Sequence, residues 1–185
     1  NKPNIIVIIL DDQGYADVGF QKLPASSQVL TPNLDKLSES GISFTNAYVS
    51  SSTCGPSRAS LLTGRSSSRF GVEENGTAGP PVSEIIIPRA INNLGYKTAA
   101  IGKWHLGANI INHPLNRGFD HFYGHLGGGH TYFPENLVIE DSYFTGDEVM
   151  IPSEDNPKKK YKGSAEMASY RTWIMRNHEA VKTEQ

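Results

Sequence analysis

Cys54-Gly55-Pro56-Ser57-Arg58-Ala59-Ser60-Leu61-Leu62-Thr63-Gly64-Arg65 is the stretch from which the rest of the chain can be read. Pro56 suits the first position of a helix: its fixed φ is already helical and its missing N–H is not needed there. Gly64 suits the residue just past the end, where the backbone turns left-handed. The stretch therefore predicts a short helix over Ser57–Thr63, with Cys54 just before its N-terminus. Such an N-terminus presents unbonded N–H groups and the positive end of the helix dipole, which favour an anion. Arg58, one turn in, can add a charge-assisted fork to the same group. A free cysteine is ordinarily a small buried hydrophobe.

Outward from this stretch, the order of elements predicts an α/β chain. Ile5-Ile6-Val7-Ile8-Ile9-Leu10 is a continuous β-branched run, the pattern of a strand buried on both faces of a parallel sheet. Thr31-Pro32 opens a helix to about Ser40, with Thr31 as cap and Gly41 as stop. Ile42–Tyr48 reads as a strand and the Gly-, Pro- and Ser-rich 69–83 as loop. Pro88–Leu94 reads as a helix closed by Gly95. Thr98–Ile101 reads as a second buried strand, leaving through Gly102. Strand, helix, strand, helix in this order indicates an α/β sheet. Gly118–Gly129, rich in glycine and aromatic residues, is expected to be an ordered loop. From Ser164, the spacing of Met167, Tyr170, Ile174 and Val181 fits an amphipathic helix.

Composition narrows the function classes. The chain has 185 residues, enough for one domain with a core or a large part of a bigger one. At 37% hydrophobic and 19% charged residues it reads as globular, and a formal charge of −2 gives no reason to expect nucleic acid. One cysteine excludes an intramolecular disulfide framework. No apolar run approaches a membrane span, and Ile5–Leu10 is too short for a signal peptide. Lys158-Lys159-Lys160 reads as a solvated loop.

Three separated segments carry chemistry. In open α/β sheets, ligands bind at the carboxyl ends of the strands. Asp11 and Asp12 follow the first strand there. As adjacent carboxylates they suit a hard cation, Ca²⁺ or Mg²⁺, although a turn is the plainer reading of the pair alone. Lys103 and His105 follow the later strand, within Gly95-Tyr96-Lys97-Thr98-Ala99-Ala100-Ile101-Gly102-Lys103-Trp104-His105-Leu106-Gly107. The cysteine segment is the third.

Cys54-Gly55-Pro56-Ser57-Arg58 with Leu62-Thr63-Gly64-Arg65 resembles the first signature of the type I sulfatases. Gly95-Tyr96-Lys97-Thr98 with Gly102-Lys103-Trp104-His105-Leu106-Gly107 resembles their second, in the family's order and spacing. The resemblance implies an alkaline-phosphatase-like fold: a mostly parallel sheet with helices on both faces, here an incomplete N-terminal portion. It implies that Cys54 is oxidised to formylglycine by a maturation enzyme, and that the aldehyde's hydrate attacks the sulfur of a sulfate ester. By the same resemblance Asp11 and Asp12, with residue 54, bind Ca²⁺. Arg58 and Lys103 stabilise charge on the sulfate. Lys103 contacts both substrate and hydrate, and His105 deprotonates the hydrate's second hydroxyl. Gly127-Gly128-Gly129-His130-Thr131-Tyr132-Phe133 is similar to a segment of carbohydrate-type sulfatases, making His130 the substrate-contact candidate against a structural loop histidine. Asn116-Arg117-Gly118-Phe119-Asp120 is family-like and expected to be structural. The family implies a periplasmic or secreted protein.

The resemblance covers roughly residues 2–134 and then fades. Residues 1–150 are therefore expected to be the N-terminal part of a sulfatase catalytic domain. Residues 151–185 are expected to be a divergent segment carrying a helix. The family's second pair of metal ligands is not found: Asp155-Asn156 reads as a turn. Two other readings stand beside the sulfatase. One is a phosphoester hydrolase of the same superfamily, which Pro56 and Arg58 argue against. The other is a non-catalytic fragment, since Ca²⁺ takes about six to eight oxygens and Asp11, Asp12 and residue 54 supply too few.

Overall fold

The computed structural model describes residues 2–24, 29–76, 79–129, 149–150, 160–161 and 174–181. The chain forms two compact units, Asn1–Tyr48 and Val49–Gln185.

In the first unit, helix α1 spans Pro32–Ser40, as its Thr-Pro start and Gly41 stop predict. Thr31 occupies the cap position without capping the helix's amides. Its hydroxyl instead accepts from Gly19 N at 2.8 Å and donates to Asp35 Oδ1 at 2.9 Å, tying the helix to a short 3₁₀ turn at Gly19–Gln21. Ile5–Leu10 departs from expectation. It carries no strand assignment, and its side chains are 47–84% exposed. Ile42–Tyr48 likewise forms no strand, with Phe44 and Tyr48 exposed. A β-branched run makes a residue fit for a strand, but the ladder bonds come from a neighbour. Neither run has a ladder partner among the described residues.

The second unit holds the core. Helix α2 spans Cys54–Thr63 and ends at Gly64, whose φ of 67° is left-handed and whose N–H bonds Ser60 O at 2.8 Å. Helix α3, Ile87–Asn92, carries Pro88 in its first turn and leaves through Gly95 at φ 77°. Strand β1, Ala99–Lys103, pairs in parallel with β2, His121–His125, in the register Ala99↔His121 to Lys103↔His125. So β2 is a strand where an ordered loop was expected. Its alternation of buried Phe122 and Gly124 with exposed His121 and Tyr123 is a period-two pattern that the surrounding glycines obscured. The β1 face was expected to be buried, but Ile101 is 81% exposed.

The two parallel strands start from one clasp. Asp120 takes Thr98 N at 2.8 Å, Thr98 Oγ1 at 3.1 Å and Lys97 Nζ at 2.8 Å. Asp120 N and His121 N in turn donate to Thr98 O. The Lys97 ammonium first, then the Thr98 amide, hold the Asp120 carboxyl down at about 2. Further along, Gly102 faces Gly124 across the pair. A Cβ on Gly124 would run into the Gly102 carbonyl oxygen and come within 2.6 Å of its carbon. Only glycine permits this approach.

Beyond the parallel pair, β3 (Val149–Met150) and β4 (Lys160–Tyr161) form a separate two-stranded ladder. Strand β5, Ile174–Arg176, adds antiparallel to β2, and β6, Glu179–Ala180, folds back on β5. The main sheet runs β1-β2-β5-β6. This hairpin overturns the helix expected through Ile174 and Val181; residues 164–173 of that expectation lie outside the described residues. The turn forms because Asn177, at φ 55°, accepts a left-handed conformation that most residues resist. Its main-chain N–H bonds Phe122 O at 2.8 Å and its side-chain oxygen takes Phe122 N at 3.0 Å.

Ala59 of α2, Val72, Ile86, Trp104, Leu106, Ala108, Phe122, Leu126 and Met175 make one buried cluster, flanked by Leu62, Phe70, Leu115 and Phe119. Full burial of side chains such as Ile86, Leu106 and Leu126 contributes roughly 1.5–3 kcal/mol each. Trp104 meets Phe119 edge-on at 5.9 Å and donates its indole N–H to Asn112 O at 2.9 Å.

His113 lies at the edge of this core. It meets Phe122 edge-on at 5.5 Å and stacks on His178 of the β5–β6 turn at 4.3 Å. Leu115 N donates to its Nδ1, so the neutral ring carries its proton on Nε2. Burial, then the charge of His178, push His113 down from 6.5 to about 4, against a raising contribution from the Asn177 main chain. The unfolded chain thus takes this proton near pH 6.5 and the folded chain only near pH 4. Stability from this site is intact above pH 6.5 and falls as pH drops towards 4, by at most about 1.4 kcal/mol per pH unit. Denaturation midpoints measured between pH 7 and 4.5 are expected to fall with pH, and the slope is expected to flatten in His113→Gln.

Candidate active site

Cys54, Arg58, Lys103 and His105 all belong to the second unit, and two contacts bring their backbones together. Arg58 Nη1 donates to Lys103 O at 2.7 Å, joining the first turn of α2 to the end of β1. Gly55 is buried. A Cβ built on it would lie 3.1 Å from Asn75 Oδ1, 3.6 Å from His105 O and 3.8 Å from Glu74 O. The residue after Cys54 therefore packs against the main chain of His105.

The strand end is built by continuing the ladder. Past β1, Trp104 N bonds His125 O at 2.9 Å and His105 N bonds Leu126 O at 3.1 Å. His105 then adopts φ 56°, a left-handed conformation in which histidine is enriched among non-glycine residues. Two residues on, Gly107 is also left-handed at φ 98°. Lys103 and His105 thus leave the carboxyl end of a strand, as the sequence pattern predicts. Cys54 differs by a small step: it is the first residue of α2 rather than the residue before it, and Pro56 stands third. The extended Thr53 supplies the cap position, with no side-chain capping bond.

This shift changes the electrostatics of the helix start. Pro56 has no N–H, Ser57 N is bonded to Thr53 O at 3.2 Å, and Gly55 N donates to Asn75 Oδ1 at 2.8 Å. The N-terminus is therefore less open to an anion than the helical pattern suggested. Arg58 and Lys103 are the cationic side chains of these two joined segments.

The last residue of the cysteine signature has a different task. Arg65 Nη1 bonds Glu84 Oε1 at 2.6 Å and Oε2 at 2.7 Å. The Glu84 main-chain carbonyl takes Arg117 Nη2 at 3.0 Å, and Pro81 O takes the same nitrogen at 3.2 Å. Arg117 is 2% exposed. Burial, then nearby Arg89, lower its affinity for its proton, against the pull of Glu84. Arg117 and Asp120 are thus structural, as expected of Asn116–Asp120.

Asp11 and Asp12 stand in the first unit, both exposed, with Asp12 left-handed at φ 56°. Consecutive carboxylates offer hard oxygen donors, which fit Ca²⁺. An open cavity of about 530 Å³ in that unit is lined by Lys22, Leu23, Thr31 and Asp35 among others, and by none of the predicted site residues. His130 and Asp155-Asn156 lie outside the described residues. His125 bonds Gly127 O at 3.1 Å through Nδ1, a buried loop contact.

A family model described as Sulfatase matches residues 3–152. The chain belongs to the sulfatase family. Arylsulfatase G of Rattus norvegicus is 42% identical over 127 residues, covering 66% of this chain and 24% of that protein. N-acetylgalactosamine-6-sulfatase of Homo sapiens is 37% identical over 134 residues, covering 66% of this chain and 25% of that protein. The crystal structure of Ps i-CgsB matches at TM-score 0.68 and 48% identity, over 74% of this chain and 31% of that one. The same protein solved in complex with k-i-k-neocarrahexaose matches at TM-score 0.68 and 47% identity, over the same shares of the two chains. The chain spans about a quarter of the length of these two curated relatives. It is the N-terminal portion of an alkaline-phosphatase-like α/β fold. Among the described residues no helix is long and apolar enough to cross a membrane.

Arg65→Ala is expected to lower stability by about 1 kcal/mol, the upper range for an exposed ion pair. Glu84 is the less exposed partner at 13%, and the bond is forked. Denaturant unfolding of the variant measures the loss.

Proposed function

We propose that the protein carrying this chain hydrolyses a sulfate ester, through a formylglycine made from Cys54. The observation that supports it most directly is the joining of α2 to the end of β1. Arg58 bonds the Lys103 carbonyl, and Gly55 packs on His105, in a chain of the sulfatase family. The aldehyde hydrate at position 54 supplies the nucleophile once a maturation enzyme has formed it. Arg58 and Lys103 bind and orient the sulfate, placing fixed positive charge where negative charge grows on its oxygens. Such preorganised charge is usually the largest catalytic contribution. His105 acts as the base that takes the proton of the hydrate's second hydroxyl. Asp11 and Asp12, with residue 54 by the family resemblance, would hold a Ca²⁺ that supplies Lewis-acid charge to the sulfate.

The substrate we propose is a sulfated carbohydrate. Its support is the likeness to a protein crystallised with k-i-k-neocarrahexaose, with N-acetylgalactosamine-6-sulfatase among the relatives, and the Gly127–Phe133 segment. His130 is the proposed sugar contact. A secreted or periplasmic location follows from the same family reading.

A peptide mass spectrum across position 54 is expected to show formylglycine in protein from a maturation-competent host; unmodified Cys54 in that host would overturn the proposal. Turnover of an aryl sulfate is expected to exceed that of the matching aryl phosphate by at least about 100-fold, or about 2.7 kcal/mol in transition-state binding. A phosphate preference would favour the phosphoester hydrolase instead.

A further inference from the structure

We propose that Asn75 is a positioning residue for the reaction at position 54, holding the peptide that follows the nucleophile. This rests on the sulfatase reading above. Helix α2 has no side-chain cap from its own Thr53. Of its first-turn amides, Pro56 lacks one and Ser57 N is spent on Thr53 O. Asn75, 20 residues downstream, takes the Gly55 amide at 2.8 Å. The Glu74-Asn75 turn and the His105 carbonyl both crowd Gly55: a Cβ built on residue 55 would lie 3.1 Å from Asn75 Oδ1, 3.6 Å from His105 O and 3.8 Å from Glu74 O. In the proposal, the spacing between the main chains of residues 54 and 105, nucleophile and base, is set through this close packing.

The turn that carries Asn75 is itself anchored at both ends. Val72 is 2% exposed, and Pro80 is fully buried. A Cβ on Gly79 would run into the Leu106 carbonyl, one residue past His105. Residues 73–76 are exposed, Asn75 among them, so what fixes its amide is the bond to Gly55 N and the buried residues Val72 and Pro80 on either side. Loss of an N-terminal cap alone costs about 1 kcal/mol. Misplacing a reacting group by about 1 Å can cost on the order of 100-fold in rate, so the effect on turnover is expected to exceed the effect on folding.

The test uses formylglycine-bearing protein, with rates normalised to the modified fraction read by mass spectrometry. Asn75→Ala is expected to lower kcat on an aryl sulfate by at least about ten-fold with KM within about two-fold. Asn75→Asp keeps the acceptor and is expected to recover most of the rate. Independently of activity, hydrogen exchange at the Gly55 amide is expected to be slow in the unsubstituted protein and in Asn75→Asp, and fast in Asn75→Ala. Unchanged Gly55 exchange in Asn75→Ala overturns the proposal. So does faster exchange with kcat retained, or a loss of rate matched by the loss of folded protein. Absence of turnover by the unsubstituted modified protein overturns the sulfatase reading and the positioning role with it. Normal turnover by Asn75→Ala in an active protein overturns the positioning role alone.

Discussion

The close approach of β1 and β2 is the constraint from which the rest of the second unit follows. It begins at the Asp120–Thr98 clasp and tightens where Gly102 lies against Gly124. Gly124 has no room for a side chain against the Gly102 main chain, and Gly102, with open space around it, is held to glycine by its left-handed φ of 97°. With the strands set this close, the ladder runs on past the strand ends through Trp104 and His105. That continuation brings the Lys103–His105 segment to a defined place at the carboxyl end. It also seats Trp104 over the core, where its N–H finds the Asn112 carbonyl.

Helix α2 is attached to that strand end by two kinds of bond. Its core side, through Ala59, is apolar and gives the attachment strength without direction. Its N-terminal part is polar: Arg58 reaches the Lys103 carbonyl, and Gly55 donates to Asn75 beside the His105 carbonyl. Directional bonds fix where the helix start sits, and apolar burial supplies cohesion without direction. The far end of the same segment, at Arg65, repeats the logic on a structural scale, tying α2 to Glu84 and through its carbonyl to buried Arg117.

Much of this was legible in the chain. Pro56, two residues inside the start of α2, and Gly64 at its end act through local backbone preferences, and α1 is bracketed by Pro32 and Gly41 for the same reason. Lys103 and His105 were readable as groups at a strand end because a β-branched and small-residue run gives way there to polar residues. What misled was burial and pairing. Ile5–Leu10 and Ile101 look like interior strand residues, yet both are exposed. β2 was hidden by its glycines, and the β5–β6 hairpin by an accidental helical spacing of Ile174 and Val181. Asn177, a residue that tolerates the left-handed turn between two short apolar runs, was the signal that could have revealed the hairpin.

The sequence alone determined the family, the candidate roles proposed for Cys54, Arg58, Lys103 and His105, and the presence of helices α1, α2 and α3 to within a few residues of their ends. These rest on residue chemistry and on interactions within a few positions along the chain. Only the tertiary structure decided which amide Asn75 would occupy, that Gly102 and Gly124 would meet, and that His113 would stack on His178. Each of those joins residues at least 20 positions apart. Their proximity depends on how the elements pack, and no local preference encodes it.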